Sequence, residues 1–253
     1  MNSIINELRE KRRKRKMYRR LIIVMFVLVL ASIKLISGYS NKEVATNKSV
    51  RLIEEVVDSG KTKVILDPGH GGHDTGASYG EIYEKDIVLN ISSMVGKILE
   101  QNDIEVIYTR SDDSSLGDDE KEDLQNRANI ANSINAEYFI SFHINDYDEY
   151  IYGYEEVYGF EVWTNYTDNK SLKLGETIEN NLINLNYTEC RPMLDGSESL
   201  YIIRESSIPS VLIEFGFMNN YNDRIYFSNK SNQQLLANAV ATAILENIDT
   251  NNM

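Results

Sequence analysis

Cysteine is nearly missing from this chain: Cys190 is the one copy in 253 residues, so no intrachain disulfide can form and the fold must hold by its core. No His or Asn motif surrounds Cys190, which argues against a thiol nucleophile. Histidine is almost as scarce, with His70, His73 and His143 the three copies. The stretch Pro68-Gly69-His70-Gly71-Gly72 lacks the Gly-Lys-Ser/Thr ending of a phosphate-binding loop and the spacing of a dinucleotide fingerprint, which sets both aside. The acidic stretch at 112–123 misses the glycine and glutamate offsets of a calcium loop and reads as a solvated turn. No internal repeat is present. Positive charge is also thin beyond the first twenty residues: residues 21–253 carry 17 basic and 37 acidic side chains, a net of −20. Such a domain repels nucleic acid and anionic lipid surfaces, which argues against both as partners.

The N-terminus has the opposite character. Residues 1–20 carry nine Lys and Arg against Glu7 and Glu10, a net of +7, and residues 21–33 are then almost wholly apolar. With Lys34 able to snorkel and Leu35 and Ile36 beyond it, the stretch reaches roughly the 17 residues of a short membrane span. A basic flank before the span keeps the N-terminus in the cytoplasm and sends the rest across. A cleaved signal peptide is the rival reading, although no tidy small-x-small site follows. Either way the remainder of the chain is expected to work outside the cytoplasm. We expect a basic cytoplasmic tail at 1–20, a transmembrane anchor or signal segment at 21–36, a linker at 37–61 and one domain at 62–250.

From Lys63 onward, apolar runs alternate with helical periods. Residues 63–66, 104–109, 138–142 and 160–164 read as strands. Val88, Ile91, Val95, Ile98 and Leu99 form one helical stripe, Leu124, Ala128, Ala131 and Ile134 a second, and Leu172, Gly175, Ile178, Leu182 and Leu185 a third. Two further apolar runs, 200–203 and 211–213, precede a closing helix that carries Leu235, Leu236, Ala239, Val240, Ala243 and Ile244. The expected fold class is α/β: a single domain with a mixed, mostly parallel sheet flanked by helices on both faces.

Two of the three histidines close strand-like runs. His70 ends the run from Lys63, His143 ends the run from Tyr138, Glu214 ends the run from Pro209, and Glu84 opens a helix-like segment. In open α/β sheets ligands gather at the carboxyl ends of strands. Two imidazoles and a carboxylate there make the ligand set of a catalytic zinc, with a position left for water. The remaining glutamate is then available as general base. This is the chemistry of a metal-dependent amide hydrolase. His73 has no strand behind it and is expected to be exposed.

Five stretches occur in a telling order: Val64-Ile65-Leu66-Asp67-Pro68-Gly69-His70-Gly71-Gly72, Glu84-Lys85-Asp86, Arg127-Ala128-Asn129-Ile130-Ala131-Asn132, Ser141-Phe142-His143-Ile144-Asn145, and Ile213-Glu214-Phe215-Gly216-Phe217-Met218-Asn219-Asn220. Together they resemble the successive motifs of zinc-dependent N-acetylmuramoyl-L-alanine amidases, from about Lys63 to Ile248. The resemblance implies one zinc per chain held by His70, Glu84 and His143, with Glu214 as catalytic acid/base. The implied substrate is the peptidoglycan amide between the lactyl group of N-acetylmuramic acid and L-alanine of the stem peptide. The third motif departs from the usual Ser-Ile-His-Ala-Asn at Phe142 and Ile144. Sixteen residues separate His143 from Phe160, too few for the long insertion that covers the zinc in some relatives.

Further residues carry expectations. Arg127 is a candidate for a substrate carboxylate or for a helix-surface salt bridge. Glu161 is expected beside the metal ligands. Arg204 is a candidate for a stem-peptide carboxylate. Tyr147, Tyr150, Tyr152, Tyr154 and Tyr158 could stack on sugar, bind a protein partner or pack on themselves. The plain layout, an anchor and one catalytic domain without wall-binding repeats, resembles germination-specific amidases of spore-forming bacteria, which implies action on spore cortex in the space around the developing spore. Without wall-binding repeats, substrate affinity could require an activating protein partner. Two other readings stand beside this one: a non-catalytic wall-binding scaffold, and a zinc peptidase cutting within the stem peptide.

Overall fold

The computed structural model of the chain describes residues 60–147 and 157–251. The basic tail, the apolar segment at 21–36, nearly all of the linker, and Tyr150, Tyr152 and Tyr154 lie outside these residues. No helix among the described residues is long and apolar enough to cross a membrane. The chain runs through β1 (Lys63–Pro68), a small hairpin of β2 (Ser78–Tyr79) and β3 (Ile82–Tyr83), α1 (Glu84–Gln101), β4 (Glu105–Tyr108), α2 (Glu120–Ser133) and β5 (Tyr138–Asn145). It continues with β6 (Glu161–Thr164), α3 (Asn169–Ile183), β7 (Leu194–Asp195), α4 (Tyr201–Glu205), β8 (Ser210–Phe217), α5 (Tyr221–Ser228) and α6 (Lys230–Asn251). The main sheet has the order β4-β1-β5-β8-β6-β7. All neighbours are parallel except β6 and β8, which are antiparallel. This is the mixed, mostly parallel α/β sheet expected from the sequence.

The alternation of side chains along each strand explains why these runs are apolar throughout. Val64 and Leu66 of β1 enter one core with Ile87, Ile91, Val95 and Leu99 of α1, while Ile65 between them enters a second cluster with Ala131, Phe139 and Ile202. α1, α3 and α6 cover the first face, and α2 and α4 cover the second. Asp119 and Asp168 cap α2 and α3 by accepting bonds from backbone amides of the first turn. The apolar run at 200–203 folds as the short helix α4, and not as a strand, burying Ile202 and Ile203. The hairpin, β7 and α5 leave no clear trace in the hydrophobic pattern.

A buried ion pair ties the carboxyl end of β1 to its neighbours. Asp67 is fully buried and accepts from Thr109 Oγ1 at 2.6 Å, from Ser141 Oγ at 2.6 Å and from Arg127 Nη1 at 2.7 Å. Arg127 therefore corrects both sequence expectations. It is 2% exposed, paired with Asp67 and Asp123, and donates to the carbonyls of Pro68 and His70, so it neither sits on a helix surface nor is free for a substrate.

Burial pushes the Asp67 carboxyl up, but Arg127 and the hydroxyl donors outweigh it and hold the group below its ordinary 3.8. A depressed folded value means that the pair's contribution is complete above pH 3.8 and is lost as pH falls through the lower folded value. Arg127→Met leaves the carboxylate buried without its counter-charge and is expected to lower stability by about 3–5 kcal/mol at neutral pH. In urea titrations the gap between variant and parent should narrow below pH 3.8. A gap that stays constant into acid would show that the ion pair is not its source.

Candidate metal centre

The carboxyl ends of β1, β5 and β8 lie side by side, with His143 opposite Glu214 in the register of β5 and β8. β1 ends at Pro68, and the chain turns through His70, whose φ of 60° lies in the left-handed region that side chains rarely adopt. Two buried arginines hold this turn. Arg110 donates to the carbonyls of Pro68 and Gly69, at 2.9 and 2.7 Å, and Arg127 to those of Pro68 and His70, at 2.8 and 2.6 Å. The β2–β3 hairpin then delivers Glu84 as the first residue of α1. Its Oε2 accepts from the Ala77 amide at 2.7 Å and its Oε1 from the Ile144 amide at 2.9 Å.

Glu84 Oε1 is 3.1 Å from His70 Nε2 and 3.0 Å from His143 Nδ1, and one donor atom from each residue lies within 4.8 Å of the others. Among the described residues this is the group of three able to hold a metal ion. The imidazole rings meet edge to face, with centroids 5.0 Å apart. Two glycines make the approach feasible: a Cβ on Gly69 would overlap the His143 ring, and one on Gly76, at φ +62°, would sit 2.5 Å from Glu84 Oε2. Asp74 fixes the far side of His70, its Oδ2 lying 2.7 Å from Nδ1, so that Nε2 points at Glu84.

The electrostatics favour a cation at this point. Burial pushes the Glu84 carboxyl up, yet the bonds and charges of His143 and His70 bring it down to about 2. Burial likewise lowers His70, and the carboxylates of Glu84 and Asp74 overcome this and raise it to about 9. Two imidazole nitrogens and a carboxylate oxygen converging where positive charge is stabilised match the donor chemistry of zinc, which displaces the imidazole proton on binding.

Glu214 is different. Its Oε2 is buried without a hydrogen-bond partner, and burial, followed by the charges of Glu84 and Glu161, pushes its carboxyl well above the usual range. Glu161 faces it across the β6–β8 register. That second carboxylate is buried and held by Asn145 Nδ2 at 3.0 Å, Trp163 Nε1 at 3.2 Å and Arg191 Nε at 2.7 Å.

The structure thus brings His70, Glu84, His143, Glu161 and Glu214 together and places Arg127 beneath them. Arg204 is elsewhere: α4 leads into the start of β8, at the end of the sheet away from Glu214, where Arg204 pairs with Glu205 and stacks on Tyr201. His73 is exposed, as expected. Tyr147 meets Phe217 edge to face near the end of β8. Asp74, Arg110 and Arg191 were not identified in the sequence; an acid four residues beyond a histidine on a glycine-rich turn was the one available signal, for Asp74. Asp74→Ala is expected to weaken zinc affinity about 10- to 100-fold with the fold intact, as read by competition with a chelating dye. Unchanged affinity would remove Asp74 from the site.

Comparison with known proteins agrees with this geometry. The family model for N-acetylmuramoyl-L-alanine amidase matches residues 64–246. The chain is similar to the germination-specific N-acetylmuramoyl-L-alanine amidase of Bacillus subtilis (strain 168), 31% identical over 198 residues, covering 74% of this chain and 79% of that protein. Among solved structures, N-acetylmuramoyl-L-alanine amidase AmiC2 of Nostoc punctiforme matches with a TM-score of 0.67 and 34% identity over 76% of this chain and 99% of that one. The CwlD amidase from Clostridioides difficile, solved in complex with the GerS lipoprotein, matches with a TM-score of 0.69 and 30% identity over 75% of this chain and 100% of that one. With a family match over residues 64–246 that takes in every residue of the candidate centre, the chain belongs to the N-acetylmuramoyl-L-alanine amidase family.

Proposed function

We propose that the chain is a zinc-dependent peptidoglycan amidase that cleaves between the lactyl group of N-acetylmuramic acid and L-alanine of the stem peptide. The observation that carries this is the convergence of His70, Glu84 and His143 beside Glu214, whose buried Oε2 has no hydrogen-bond partner. Zinc bound by those three residues supplies an acidified water and polarisation of the scissile carbonyl. Glu214 takes the proton of the attacking water and returns it to the departing amine. A carboxyl raised by burial and by two neighbouring carboxylates is suited to both transfers, because it binds a proton more readily than a solvated glutamate does. Protonation of the nitrogen matters as much as attack, since an amide anion leaves poorly.

The finer reading is action on spore cortex in preparation for germination. It is supported by the similarity to the germination-specific amidase of Bacillus subtilis and to the CwlD amidase. The CwlD amidase forms a complex with the GerS lipoprotein, which supports a protein partner for this chain, here proposed to be an activator. We further propose that residues 21–36 hold the protein at the membrane with the domain outside the cytoplasm. That reading rests on the basic flank and apolar run of the sequence.

Glu214→Gln is expected to lower turnover by about 10²- to 10⁴-fold while zinc content and melting temperature stay at parental values. Retained turnover at full metal occupancy would remove Glu214 from the mechanism. A truncated chain of residues 62–250, digesting purified peptidoglycan with zinc added in steps, should release stem peptides that begin with L-alanine, identified by mass spectrometry. Cuts inside the stem peptide would identify a peptidase, and binding without cleavage a scaffold. Activity appearing only with a protein factor from cell extract would establish the activator.

A further inference from the structure

The catalytic end of the sheet is crowded with carboxyl groups: Asp74, Glu84, Glu161 and Glu214 all lie there. A stem peptide carries carboxylates of its own, so its approach needs a cation that is still free to bond. Most cations at this end are already committed. Arg127 and Arg110 are buried on backbone carbonyls, and Arg224 is buried on those of Met218 and Asn219. Lys85 donates to the Gly72 carbonyl and to Asp113.

Arg191 is held differently. Its Nε donates to Glu161 Oε1 at 2.7 Å, and its guanidinium carbon is 5.4 Å from the centroid of the Phe217 ring. Its side chain remains 39% exposed. Its Nη1 makes one long contact, 3.5 Å to the Tyr158 carbonyl. The stem of the side chain lies against Gly159, whose φ of +110° and missing Cβ leave room for it: a Cβ there would come within 2.9 Å of Arg191 Cγ. Buried Glu161 and the Phe217 ring fix the guanidinium plane, while the outer nitrogens keep donors to offer.

The distance to the reacting end is suitable. The Arg191 amide bonds to the Phe160 carbonyl, and the neighbouring Glu161 faces Glu214, so two strand spacings, about 10 Å, separate the backbones of Glu214 and Arg191. An extended peptide advances about 3.5 Å per residue, which puts the Cα of the second stem residue about 5 Å from the scissile nitrogen and a carboxylate on that Cα about 1–2 Å further. When that residue is D-glutamate joined through its side-chain carboxyl, its α-carboxylate is free.

We propose that Arg191 recognises this α-carboxylate of the second stem residue, so that the enzyme discriminates free-acid from amidated stem peptides. The inference rests on the amidase reading above. Glu161, in addition to its charge on Glu214, is then the anchor that presents Arg191 to substrate.

The test compares two N-acetylmuramoyl tripeptides that differ only in the second stem residue, D-isoglutamate against D-isoglutamine. The zinc-loaded enzyme should favour the free acid in kcat/KM, and Arg191→Gln should reduce that preference about 10- to 100-fold, through KM. Arg191→Lys keeps the charge beside Glu161 but loses the planar fork, so it should keep the melting temperature of the parent and still lose most of the preference. Equal losses on both substrates, or an unchanged ratio in both variants, would overturn the assignment and leave Arg191 as a counter-ion of Glu161. Failure of the parent enzyme to cut either substrate at the lactyl–alanine bond would instead overturn the amidase reading, and this inference with it.

Discussion

The buried Asp67–Arg127 pair is the interaction on which the candidate metal centre depends. A carboxylate and a guanidinium inside a sheet are tolerable only when their remaining valences are filled. Here Thr109 and Ser141, from the two chain segments flanking β1, fill those of Asp67. The donors left on Arg127, joined by Arg110, take the carbonyls of Pro68, Gly69 and His70. Those carbonyls belong to a turn whose His70 occupies the left-handed region, a conformation that costs about 1–3 kcal/mol for a residue with a side chain. Charge-assisted bonds to three successive carbonyls are strong enough to hold it. His70 is thus aimed from below, by residues that make no contact with its imidazole ring.

Three carboxylates share the space above that turn, and the fold treats each one differently. Glu84 receives two imidazoles and two backbone amides, and its pKa falls to about 2. Glu161 receives an amide side chain, an indole and a guanidinium. Glu214 receives nothing at Oε2, and burial, followed by the charges of the other two, drives its pKa up. Groups of one type whose environments push their proton affinities apart are how a fold assigns charge-holding and proton-moving roles at a single pH. Burial pushes both Glu84 and Glu214 up, and Glu84 alone of these two has the imidazole partners that overcome it.

Much of this was legible in the chain, for physical reasons that differ by element. β1, β5 and β8 are covered on both faces, so their apolar runs are unbroken and easily seen. His70 and His143 stood out because they end such runs, where topology places ligands. The run at 200–203 was ambiguous because four apolar residues fit a buried strand and a helical turn equally well. β7 has two residues and no pattern to show. Arg127 was misjudged because α2 is polar along most of its length, and composition does not reveal that one guanidinium points inward to Asp67. Arg191 lies on a loop, and its meaning comes from Glu161 and Phe217, which reach it only through the tertiary fold. Arg204, with the same side chain and a strand-like run before it, was the more visible candidate, yet it lies at the wrong end of the sheet.

The scarcity of cysteine bears on how the metal relates to the fold. A domain with a single cysteine can form no internal disulfide and must obtain its stability from burial, and here an apolar core fills both sides of a six-stranded sheet. The candidate ligands add little to that core. His70 is fixed by Asp74 and by the clamp on its own carbonyl, Glu84 by the amides of Ala77 and Ile144, and His143 by its place in β5. Small metal domains that fold only around their ion have no such supports. In this chain the protein's own bonds preorganise the donor set, so the binding energy of an ion held there would not be needed to build the site. Stability and catalysis are separated by position: the core lies along the strands, and the reactive groups lie at their carboxyl ends.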